Sequence, residues 1–472
     1  MHLPLLLLAA LAAAPAASPA APASAPKTFR VDYFHTGNAT EEHFSLDRLV
    51  VEPLPWPGHP ERTVDDTGLG KYFFEVRSKA GGKLLYSRGF ASIYGEWEST
   101  PEAQQMKRTF GESFRFPLPD APVQVTLKKR GPQNEWKQLW QFDVDPKDMF
   151  VDPSVPAAPG PLLKLVYNGP PAQKVDFLIL GDGYTEAQRG KFEKDARRLV
   201  EILFSFSPFK ERKSDFNVWG LMPAAKEPGI SRPSTGVHKR NPVGSTYDAF
   251  GSERYVLTFD NHAFRDIASH APYEFVEILT NSNTYGGGGI HNLFSTVAAD
   301  SLWSPYVFVH EFGHHFAGLA DEYYTSDPTF VPSAERPEPW EKNVTALKDP
   351  KNLKWKALMT QGVPVPTPWK KDEYDAHAGD VLTRRRAIRQ KNEPEKVMDA
   401  LFLEQRGWEE KFLSSQQYSG KVGAFEGAMY ESRGYYRPQL DCVMFTRDRV
   451  PFCSVCQGAI SEVIDLYSRG KK

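Results

Sequence analysis

The sequence predicts an α/β (α+β) chain in two parts, a small all-β sandwich followed by a mixed α/β domain. Three observations carry this prediction. Residues 27–150 read as short strands divided by turn signals. The Pro-rich stretch "VDPSVPAAPGP" interrupts the chain at 151–161. Beyond it, apolar strands alternate with segments of helical periodicity. At 472 residues the chain is long enough for each part to bury a core of its own.

The first residues, "MHLPLLLLAALAAAPAASPAAPASAP", form an apolar run too short to span a bilayer, followed by small residues that suit signal-peptidase cleavage. We read residues 1–25 as a signal peptide and expect a secreted or periplasmic protein. No later stretch is long and apolar enough for a stable membrane span. The 57 basic and 59 acidic side chains nearly cancel, so no whole-chain field favours nucleic acid or an anionic membrane, and no nucleic-acid partner is expected.

Within 27–150, "TFRVDYF", "KYFFEVRS", "KLLYSRGFASIY", "SFRFPL" and "VQVTLKKR" are rich in β-branched and aromatic residues, the composition of pleated, half-buried strands. Residues 151–162 are expected to be a linker. The second domain, 163–472, opens with the strand "KVDFLILGDGYT" and the helical "EAQRGKFEKDARRLVEILFSF". "DFNVWGLMP", "YEFVEILTN" and "NLFSTVAAD" supply further strands. An insertion, helical or irregular, is expected at about 325–430. Its "RRRAIRQK", residues 384–391, reads as a solvated helix face.

The chemistry concentrates in "VFVHEFGHHFAGLADEYY", residues 307–324. On a helix, His310 and His314 project from one face a turn apart and can bind one cation, while Glu311 reaches a water beside it without being a ligand. Two neutral nitrogen ligands, an open position and a carboxylate base are what a zinc hydrolase needs, so one Zn2+ per chain is expected. A histidine and a glutamate placed in an apolar helix without such a purpose would be costly. Gly318 can end the helix and turn the chain back, which makes Asp321 the first choice for a third ligand, with Glu322 its competitor and Glu335 or Glu341 as later alternatives. The metzincin pattern H-E-x-x-H-x-x-G-x-x-H/D places glycine and ligand one residue earlier, so this chain carries one extra residue. His315 is expected to pack or support rather than ligate.

A metzincin also carries a methionine turn beneath the metal. "LDCVMFTRDRVPFCSVCQGAISEVIDLYS" offers Met444 and then a helix with Val455, Ile460, Val463 and Ile464 at helical spacing; Met398 and Met429 lack that sequel. "NTYGGGGIHN", residues 283–292, suits an edge strand that pairs with an extended peptide, and its His291 reads as a surface histidine. Tyr435, Tyr436 and Tyr323 are candidate oxyanion helpers. Of the three cysteines, Cys442 is expected to form a disulfide with Cys453 or Cys456, as suits an exported chain.

Taken together, "HEFGHHFAGLADEY", "LILGDGYT", "YGGGGI" and "YYRPQLDCVM" resemble the bacterial IgA-peptidase family of zinc metallopeptidases, whose members pair an N-terminal β-domain with a metzincin-like catalytic domain. The resemblance implies a secreted endopeptidase acting on protein or peptide, with zinc held by His310, His314 and Asp321 and with Glu311 as the base. Two other readings stand beside it: an exported binding or adhesion protein on a zincin scaffold, and a zinc amidase acting on non-protein amides.

Overall fold

The structure is a computed structural model and describes residues 25–328 and 335–470. The expected signal peptide lies outside the described residues save for its last position. No helix among the described residues is long and apolar enough to cross a membrane.

The N-terminal part is two four-stranded sheets. One has the order β5-β1-β2-β8, built from β1 (Lys27–Gly37), β2 (Glu42–Pro55), β5 (Arg108–Pro117) and β8 (Val151–Asp152). The other has the order β4-β3-β6-β7, from β3 (Tyr72–Ser78), β4 (Leu84–Phe90), β6 (Val123–Arg130) and β7 (Trp136–Val144). Alternate residues turn inward: Phe29, Val31 and Tyr33 from β1 and Phe114 and Phe116 from β5 meet Phe74 and Val76 from β3 and Val125 and Leu127 from β6.

Three details differ from the sequence reading. The strand expected through "ASIY" ends at Phe90, because the Ser92 hydroxyl accepts from Gly95 N and starts the short helix α1 (Ile93–Trp97). β2 and β7 were not anticipated, since much of each faces solvent and their polar residues blur the alternation. Val151 and Asp152, assigned to the linker, pair in parallel with Leu49 and Val50 as the last strand of the first sheet.

The two sheets are tied by a buried polar cluster. His35 on β1 bonds Glu112 and Glu42, and Glu42 also accepts from Lys129 of the opposite sheet. Burial alone would raise the Glu42 pKa, but His35 and Lys129 outweigh it and lower it from 4.5 to about 2.

The second part is built on a six-stranded sheet of order β15-β16-β14-β10-β11-β9. Its strands are β9 (Leu163–Val166), β10 (Val175–Asp182), β11 (Phe216–Leu221), β14 (Phe275–Thr280), β15 (Gly287–Ile290) and β16 (Phe294–Ala298); a two-stranded pair, β12 (Ser245–Thr246) and β13 (Leu257–Thr258), lies apart. The inner four strands are parallel and the two edge strands antiparallel. Every residue of β10, β11 and β14 is buried, as expected for parallel strands covered on both faces.

One face of the sheet packs Phe177, Ile179 and Phe275 against α2 (Arg189–Leu203), α4 (Ser304–Ala317) and α7 (Ser454–Ser468). On the other face, Leu178, Leu180, Val276 and Ile278 meet α3 (Asn261–Ala268) and, from the N-terminal part, Tyr94, Trp97 and Phe110. The β-rich domain therefore covers a face of the α/β sheet. Arg30, fully buried, reinforces the junction by pairing with Asp32, Glu52 and Asp266 of α3.

The insertion carries α5 (Lys371–Gln390) and α6 (Glu395–Ser414), whose Tyr374, Val381, Leu401 and Phe402 join the main core. "RRRAIRQK" is only half a solvated face. Arg384 and Arg386 are exposed, whereas Arg385 and Arg389 turn inward to Glu253. The hairpin β17 (Phe425–Ala428) and β18 (Glu431–Arg437) closes the insertion.

The Glu42 cluster sets an acid limit on the β-domain. A carboxyl whose pKa is lower in the folded chain contributes stability that is present above its unfolded pKa of 4.5 and is lost as pH falls through about 2. Urea unfolding across that window should show a shallower loss of stability for Glu42→Gln than for wild type; equal slopes would remove Glu42 from the account.

Candidate metal centre

Helix α4 begins with Pro305 in its first turn and ends at Gly318, which takes the left-handed conformation (φ 57°) and donates to His314 O. Phe308, Phe312 and Phe316 face the core, while Glu311 and His314 line one cavity and His310 lines a second that shares Glu311, Tyr323 and Arg254 with it. The turn at Gly318 brings Asp321 back over the helix. Asp321 Oδ1 lies 3.1 Å from His310 Nε2 and 3.1 Å from His314 Nε2, and the two Nε2 atoms are 3.1 Å apart.

The tautomers follow from the other ring nitrogens. His310 Nδ1 donates to Val443 O at 2.9 Å and His314 Nδ1 to Leu319 O at 2.5 Å. Each neutral ring then points a bare Nε2 lone pair at the same place as the Asp321 carboxylate, an arrangement that favours a cation at their centre. The carboxylates favour positive charge at this point, whether it is an ion or a proton on an imidazole. Burial opposes charge on His314, yet Asp321 and Glu311 raise its pKa to about 9. Burial would likewise raise the Asp321 pKa, but the two imidazoles hold it well below the usual carboxylate range. Burial raises that of Glu311, whose neighbouring histidines pull the other way.

Glu322, the competitor for third ligand, turns away from this cluster. It is fully buried and accepts from Asn343 Nδ2, while its own N–H donates to Met444 O at 2.9 Å. Glu341 lines the cavity without joining the three donors, and Glu335 is not among them. Met444 is buried under the helix, where its sulfur would sit 2.9 Å from a Cβ added at Gly313. His315 bonds Ile290 O through Nδ1 and accepts from Val276 N through Nε2, so it supports the sheet.

Two readings need correction. His291 is buried, not on the surface; Nδ1 bonds His315 O and its ring lies against Trp340 at the cavity wall. Tyr435 and Tyr436 do not line the cavity. The Tyr435 hydroxyl donates to Pro337 O and its ring packs with Ala320 and Val344, because the β17–β18 hairpin aims that stretch at the insertion. Tyr323 does line it, joined by Tyr430 and Arg254, which the sequence reading missed. The two hydroxyls are 2.8 Å apart and Arg254 Nη2 approaches both. No local pattern marks Tyr430 or Arg254; pairing of Tyr430 N with Tyr323 O and Met429 N with Asp321 O brings the hairpin tip there.

The profile of the IgA Peptidase M64 family matches residues 163–464, and that of the Peptidase M64 N-terminus matches residues 22–141. The chain belongs to the IgA peptidase M64 family. It is a peptidase of mixed α/β architecture with a β-rich N-terminal domain. A comparison with curated proteins finds no match.

The M64 chain also explains its glycine run. β15 is an edge strand, and a Cβ at Gly289 would sit 2.3 Å from Glu311 O and 2.9 Å from His314 Cβ. The strand and helix α4 touch through their backbones. Gly287 exchanges bonds with Arg254 O and Val256 N, and His291 O accepts from Ala91 N of the β-domain. The outer edge of β15 is thus occupied at both ends, with Gly289 between them in the cavity wall. Replacing Gly289 by Ala forces strand and helix apart and should cost roughly 1–3 kcal/mol in urea unfolding. Gly190→Ala, where the added methyl meets open space at the start of α2, serves as the comparison and should be neutral to stabilising by up to about 1 kcal/mol.

Proposed function

We propose that this peptidase is a secreted, metzincin-like zinc endopeptidase in which His310, His314 and Asp321 hold the ion and Glu311 is the general base. The observation that carries the reading is the meeting of three donor atoms 3.1 Å apart, with the half-buried Glu311 beside His314 and Asp321 in the cavity wall. The donor set fits the ion: two neutral imidazole nitrogens and one carboxylate oxygen, each imidazole fixed by a backbone carbonyl. When bound, zinc supplies Lewis-acid polarisation of a peptide carbonyl and of water. Membership of a peptidase family favours peptide bonds over the amidase and binding-protein readings. The apolar segment at 1–25 supports export.

The residues of the chain divide the remaining work. Glu311 takes a proton from the attacking water and returns it to the leaving amine; its raised pKa brings it closer to the working range of an acid that must also donate. Tyr323 and Tyr430, linked hydroxyl to hydroxyl beside Arg254, provide donors for charge developing on the carbonyl oxygen. The main chain of Gly289 offers an edge for the substrate backbone.

Glu311→Gln should lower peptide turnover by about 10²-fold or more while retaining zinc, because the amide fills the same space but cannot accept the proton. Undiminished cleavage by that variant refutes the base assignment. Asp321→Ala, by contrast, should lose zinc on dialysis, read by elemental analysis. Tyr323→Phe should reduce kcat by about 10-fold to 100-fold with little change in KM; a change confined to KM would make Tyr323 a binding group only.

A further inference from the structure

The three cysteines converge with Glu322 on a second cluster, outside the cavity wall. Cys442 precedes Met444, Cys453 caps the N-terminus of α7, and Cys456 lies in that helix's first turn. All four residues are buried, and one ligand atom from each lies within 4.8 Å of the others. The disulfide expected from the sequence is not formed, for all three cysteines are free. Cys442 Sγ and Cys456 Sγ are 3.9 Å apart, and Glu322 Oε1 is 3.3 Å from Cys456 Sγ and 3.9 Å from Cys453 Sγ. A tetrahedral zinc with Zn–S bonds of about 2.3 Å sets its sulfurs about 3.8 Å apart. The spacing is that of a ligand shell.

We propose that Cys442, Cys453, Cys456 and Glu322 bind a structural zinc ion, separate from the one assigned to His310, His314 and Asp321. Two further observations point the same way. Backbone amides are aimed at sulfur, Cys453 N at Cys442 Sγ (3.2 Å) and Cys456 N at Cys453 Sγ (3.4 Å), and such donors together with a helix N-terminus favour thiolate. Glu322 Oε2 is buried without a hydrogen-bond partner. A disulfide between Cys442 and Cys456 leaves that carboxylate and the third sulfur uncompensated. A divalent cation, with the buried Arg437 guanidinium nearby, offsets most of the charge of three thiolates and a carboxylate. Softness of the donors selects zinc over calcium or magnesium. The site joins three pieces of chain: the methionine turn, the start of α7, and the residue next to Asp321.

The test uses the full chain, purified under reducing conditions with added zinc, beside a His310→Ala, His314→Ala double variant. Wild type should hold two zinc ions and the double variant one. Cobalt(II) exchanged into the double variant should give an intense near-ultraviolet sulfur-to-cobalt band, and unfolding in chelator should release three titratable thiols. A folded double variant, checked by circular dichroism, that binds no zinc and gives no such band overturns the proposal, as does a count of one thiol. If wild type and double variant both hold one ion with the sulfur band, this site stands and the histidine assignment fails. Cys456→Ser removes a core side chain and is expected to unfold, so the cobalt spectrum decides.

Discussion

Everything at the candidate centre rests on two hydrogen bonds that have nothing to do with a ligand. Val443 O and Leu319 O take the Nδ1 protons of His310 and His314, and so dictate which nitrogen of each ring is left bare. The carbonyls come from different places in the chain, one from the turn that holds Met444 and one from the turn after Gly318. A helix carrying HExxH cannot orient its own imidazoles. It needs the turn around Met444 folded beneath it, and the bond from Glu322 N to Met444 O fastens that turn to the stretch of chain holding Asp321.

The β-rich domain belongs to this arrangement. Tyr94, Trp97 and Phe110 cover the sheet face opposite α4, Arg30 pairs across the junction, and Ala91 bonds His291 at the end of β15. Glu96 of α1 also lines the cavity and bonds Tyr255. Burial holds one face of the sheet for the helix that carries the histidines and the other for the N-terminal domain, so the two parts share a core surface as well as a chain.

Much of this was legible in the sequence because it depends on local spacing. The four-residue interval between His310 and His314, the glycine that ends the helix, and the largely apolar runs of β10 and β14 are local signals. What escaped was decided by contacts distant in the chain. Whether Asp321 or Glu322 faces the histidines depends on Asn343 and the cysteines gathering one of them. Tyr430 and Arg254 reach the cavity through a hairpin tip and a loop, and His291 is buried where Trp340, far along the chain, packs against its ring. The charged residues of β2 hid a strand because one face of that sheet looks to solvent.

The pinned ends of β15 have a consequence for what the cleft can read. On the proposed function, with Gly287 and His291 already bonded within the chain, a polypeptide aligned on β15 finds one residue's worth of free sheet edge, not a long rail. Discrimination among sequences then falls to the side chains that ring the opening, Glu96 and Trp340 among them, and little of it to backbone registration.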